Sequence, residues 1–157
     1  MKIARIQELS KYTHWLQKAQ HDMSRYKESG GAFDLANVFL TLNALPEWIA
    51  KSEEAPNSLR ELAQKKTALM RDDSNNFDLD VGKPDEIDHQ LRLVRIFCNH
   101  AKHGKKKNEI PQITLSLKFP AESPLKFDHL KVGNDSINIS EVLESIINYW
   151  EREICSA

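Results

Sequence analysis

Glycine is scarce in this chain, with five in 157 residues. Loops that cradle phosphate are built from clustered glycines, so that several backbone N–H groups can close on one anion, and five leave hardly enough material for one. A Gly-x-Ser-x-Gly nucleophile elbow is missing as well. Cysteine is scarcer still: Cys98 and Cys155 stand far apart. They make neither a disulfide framework nor a zinc cluster, and they read as a buried thiol and a tail thiol in a reducing cytoplasm. Long apolar runs are also lacking. The longest stretch, Leu35 to Leu45, is interrupted by Asn37, Thr41 and Asn43 and is too short to span a bilayer. The opening residues MKIARIQELSKYTHW carry charge every few positions without an apolar centre, so a signal peptide is not expected. The expectation is a soluble, cytoplasmic protein with no membrane partner. Finally, neither sign of charge is in excess: 22 basic and 23 acidic side chains leave a net charge of -1. A protein basic overall is excluded, and any contact with nucleic acid has to use a local patch.

What is present is helical periodicity. Ile6, Leu9, Leu16, Ala19, Met23 and Tyr26 recur every three or four residues, with one longer step bridged by Tyr12, which predicts an amphipathic helix from about residue 3 to 28. Ser29, Gly30 and Gly31 end it. A second helix, from about Phe33 to Ser52, is apolar almost all round and belongs in the middle of a bundle. Pro46 should kink or break it. Asn37 and Thr41 share one stripe of this helix and, if buried, need partners. Pro56 and Asn57 open a third, more polar helix ending near Met70. A fourth starts near Pro84, carries its apolar stripe on Ile87, Leu91, Val94, Cys98 and Ala101, and stops at Gly104.

Beyond Gly104 the period changes. Ile113, Leu115 and Leu117 alternate with polar residues as in a strand, and Leu130, Val132, Ile137 and Ile139 flank a Gly133-Asn134-Asp135 turn, which predicts a hairpin. Ser140 is placed to cap a last helix with Val142, Leu143, Ile146, Ile147, Trp150 and Ile154 on one face. The expected fold is mainly α: an antiparallel bundle of four to five helices with a small β-hairpin before the C-terminal helix. It is read as one domain over 1–157, with a β appendage at about 112–139.

Metal and cofactor chemistry find little support. Asp72, Ser74 and Asn76 are spaced like calcium ligands, but Phe77 fills the position where that loop requires glycine. His14, His21, His89 and His129 read as structural or surface histidines. No metal and no cofactor is expected.

The fourth helix holds the candidate chemistry. From Arg92 to Lys107 there are six lysines and arginines and no acid, whereas Asp72 to Asp88 holds seven acids and one lysine. A cationic helix end attracts phosphate oxygens. Arg95, Asn99 and Lys102 fall on one stripe, His103 flanks it, and His100 lies about 140° round from Arg95. The plainer account is that lysine and histidine suit a helix C-terminus and that the arginine bonds carboxylates.

The run Arg95-Ile96-Phe97-Cys98-Asn99-His100-Ala101-Lys102-His103 resembles the Arg-…-Asn-…-Lys-His signature of bacterial HEPN-like helical proteins. The stretch Leu35 to Leu42, continuing through Glu47-Trp48-Ile49, resembles their second helix, and the hairpin leading into Ser140-Glu141-Val142-Leu143 and ending near Trp150 resembles their tail. The resemblance spans roughly residues 10 to 153. It implies an up-and-down bundle, often a homodimer, and, in catalytic members, a metal-independent ribonuclease with Arg, four to six residues, then His. Arg95 and His100 have four residues between them; Arg95 and His103 have seven. Ile96 stands where catalytic members usually carry a polar residue. In such an enzyme a neutral histidine, His100 or His103, takes the proton of an RNA 2'-hydroxyl, which attacks phosphorus and leaves a cyclic phosphate. Proton transfer of this kind contributes roughly 10²–10⁴ in rate, and Arg95 would hold the charge on the phosphoryl oxygens. Asn99 would orient the group, and Lys102, Lys105, Lys106 and Lys107 would gather the strand. The alternative is a non-catalytic module that binds a nucleotide, nucleic acid or protein. A small partner protein encoded alongside would suggest a toxin pair or a defence role.

Overall fold

The order of helical and strand periodicities is realised as a mainly helical chain with a small sheet. The structure, a computed structural model, describes residues 6–71, 86–103, 113–115, 127–132 and 135–157. Its elements are a 3-10 turn at Gln7–Leu9, then α1 (Tyr12–Ser29), α2 (Ala32–Lys51), α3 (Asn57–Arg71), α4 (Ile87–His103), β1 (Ile113–Leu115), β2 (Phe127–Val132), β3 (Asp135–Asn138) and α5 (Ile139–Ser156). The predicted Gly104 stop, the Gly133-Asn134 turn and the Asp72–Gly82 segment lie outside the described residues.

The first helix begins later than its apolar spacing predicts. Ser10 donates its hydroxyl to the Gln7 carbonyl at 2.6 Å, and the Trp15 indole donates to the Leu9 carbonyl at 3.2 Å. These bonds close a short turn, and Lys11 is then extended (φ -120°, ψ 150°) as the N-cap of α1. The long step between Leu9 and Leu16 was the mark of that break. The other end follows expectation: Gly30, at φ 63°, sends its N–H to the Tyr26 carbonyl at 2.7 Å, a left-handed cap that glycine adopts without steric cost.

The helix α2 occupies the middle. Leu35, Val38, Phe39, Leu42, Leu45 and Ile49 are buried in a core shared with all four other helices and with Leu130 and Ile137 of the sheet. Pro46 is buried inside α2 without ending it. Its missing N–H leaves the Leu42 carbonyl without that helical bond, and the surrounding core holds the helix together nonetheless. Of the two polar residues expected to need partners, Asn37 is exposed and is served by solvent. Thr41 is 1% exposed. It donates to Asp22 Oδ2 at 2.6 Å, and Lys18 Nζ reaches both Asp22 (2.6 Å) and Thr41 Oγ1 (2.8 Å). Asp22 is itself buried, so this ring of bonds compensates a desolvated carboxylate and fixes α1 against α2.

The sheet is antiparallel in the order β1-β2-β3, with Leu130 opposite Ile137 and an irregularity at Thr114/Leu115. It is tied to the end of α1: the Phe127 N–H donates to the Gly30 carbonyl at 2.9 Å, and the buried Tyr26 hydroxyl donates to the Phe127 carbonyl. Burial pushes the Tyr26 phenol up to about 12; the Ser140 hydroxyl opposes this, and the nearby Asp128 carboxylate adds to it. Asn138, not Ser140, caps α5, accepting from the Glu141 N–H at 3.3 Å. Ile139 is fully buried as the first helical residue, which starts the helix earlier than expected and turns Ser140 toward Tyr26.

Replacing Thr41 by valine keeps the shape and removes one bond from a buried carboxylate. The expected loss is about 1–2 kcal/mol, read as a melting temperature lower by about 2–8 °C. An unchanged melting curve would show that the Lys18–Asp22 pair is sufficient alone.

Candidate functional site

The helix α4 turns its apolar side inward and its cationic side toward α2 and α3. Leu91, Leu93, Val94, Phe97 and Cys98 are buried, and Phe97 stacks on Phe39 of α2 with ring centroids 5.1 Å apart. Two polar contacts set its register on α3. Asp88, in its first turn, pairs with Lys66 at 2.6 Å, and Arg92 donates to the Leu69 carbonyl at 3.1 Å, one of the last-turn acceptors that a helix leaves unsatisfied.

About one turn beyond Arg92, the side chain of Arg95 is half-buried and lines a recess between α2, α3 and α4. The other walls are Asn43 and Pro46 of α2 and Thr67, Met70 and Arg71 of α3. The recess is shallow and solvent-open, with room for little more than one water molecule. Among the described residues Arg95 has neither a carboxylate partner nor a hydrogen bond. Arg71 is different. Its Nη2 lies 3.0 Å from Glu47 Oε2, while Lys51 Nζ lies 2.8 Å from Oε1 of the same carboxylate. The bond from Lys51, with further help from Arg71, holds the Glu47 carboxyl below the usual carboxylate range against an opposing effect of burial. Thr67 donates to the Ala63 carbonyl at 2.8 Å, so its hydroxyl proton is already used.

The residues singled out in the sequence are distributed unequally. Asn99 is half-buried and His100 is exposed on α4. Five residues of regular helix separate His100 from Arg95 by about 140° and about 7.5 Å, so one chain does not aim both at one phosphate. Lys102 and His103 belong to the last turn of α4; their side chains, and Lys105, Lys106 and Lys107 entirely, lie outside the described residues. Asn43 and Arg71 were not expected at the site. The sequence marked Asn43 as an interruption of an apolar run and not as a site residue, and nothing local connects Arg71 with Arg95, which come to line one recess through the packing of α3 and α4. Comparison with known proteins returns no matching family model, no matching curated protein and no matching solved structure. The site's chemistry therefore rests on its own residues. Among those described, no three His, Cys, Asp or Glu side chains gather as a metal-binding group, and no helix is long and apolar enough to cross a membrane.

The Glu47 contacts give a pH prediction. A carboxyl with a depressed folded pKa contributes stability above its unfolded pKa and loses it as the pH falls through the folded value. Glu47→Gln should cost less than about 1 kcal/mol at neutral pH, because the pair is partly exposed and screened. The difference from the wild type in urea denaturation should close as the pH drops below the carboxylate range. A difference that persists in acid would assign the effect to packing.

Proposed function

We propose that this chain binds RNA through the second half of α4 as a helical module, with Arg95 holding a backbone phosphate. The observation that supports this most is the guanidinium of Arg95 in a solvent-open recess, without a partner among the described residues. A half-buried cation has given up part of its hydration, and an oxyanion with fork geometry restores it. The stripe continues from Arg95 to Asn99, and the basic run from Lys102 to Lys107 follows in sequence. Single-stranded nucleic acid is the polyanion that such a run would track.

A second reading, favoured by the exposed His100, is a metal-independent ribonuclease of HEPN-like type acting as a homodimer. A facing copy of α4 would bring an imidazole to the phosphate held by Arg95 of its neighbour. His100 or His103 would then take the 2'-hydroxyl proton, and Arg95 would hold the charge of the phosphoryl oxygens.

The test is fluorescence anisotropy with a single-stranded RNA across a salt series, together with a gel of the same RNA incubated with a metal chelator. Affinity should fall as salt rises, and Arg95→Ala should weaken it by about tenfold or more while His100→Ala leaves binding in place. Chelator-resistant cleavage lost in both variants would favour the ribonuclease. Intact RNA beside Arg95-dependent binding leaves the module. Binding that ignores Arg95→Ala contradicts both.

A further inference from the structure

We draw no further inference here: the strongest candidate, the partly exposed aromatic patch where Trp15 of α1 stacks on Trp48 of α2 with ring centroids 5.2 Å apart, carries nothing, because nothing in the structure shows what covers it.

Discussion

A helix with a broad apolar face has to bury that face, and α2 is such a helix. Leu35, Val38, Phe39, Leu42, Leu45 and Ile49 fall within about 120° of one another round the helix axis, and all are buried. Burying one such side chain is worth about 1.5–3 kcal/mol relative to leaving it in water, so the other helices pack against that face, while Phe33 and Asn37 on the opposite side stay exposed. That packing decides where the polar residues of the outer helices meet. Arg71 at the end of α3 and Arg95 in the middle of α4 are brought to the same short stretch of α2, beside Asn43 and Pro46. The recess is one place, among the described residues, where this packing leaves a gap, and Pro46 forms part of its wall.

Two buried polar devices give this enclosure its specificity. Hydrophobic packing alone tolerates rotation of one helix about another, whereas the Lys18–Asp22–Thr41 ring is satisfied in one relative setting of α1 and α2. Tyr26 plays the corresponding part for the sheet. Its hydroxyl and the Gly30 carbonyl together engage both backbone groups of Phe127, so β2 is docked on the end of α1 and carries Leu130 into the core. The paired indoles of Trp15 and Trp48, 5.2 Å apart, brace the other flank of α1 and α2.

Much of the fold was legible because its signals are local. The period of the apolar residues located the helices, Gly30 marked the end of α1, and the alternation near Leu130 and Ile137 marked paired strands. The errors are also physical. Ile6 and Leu9 continue a helical spacing, yet Ser10 and Trp15 satisfy the preceding carbonyls and release the chain into a turn. Ser140 is a good cap by composition, but Ile139 is better buried inside the helix, and Asn138 takes the role. Pro46 suggested a kink or a break, and of the two the break is excluded, since α2 runs on through it. At the site, Arg95 stood out from its stripe on α4, while Arg71 and Asn43 could not be joined to it from the sequence, since their meeting depends on how α3 and α2 pack and not on any spacing along the chain.

Packing α3 and α4 against α2 delivers an arginine, without a counter-charge among the described residues, to a surface open to solvent. The most direct measurement follows the Arg95 Nε–Hε resonance by proton–nitrogen NMR while inorganic phosphate is added. The account predicts fast solvent exchange of that proton in the free protein, then a saturable shift with slowed exchange as phosphate binds. A resonance already protected without phosphate and unmoved by it would place Arg95 in an internal ion pair and contradict the account.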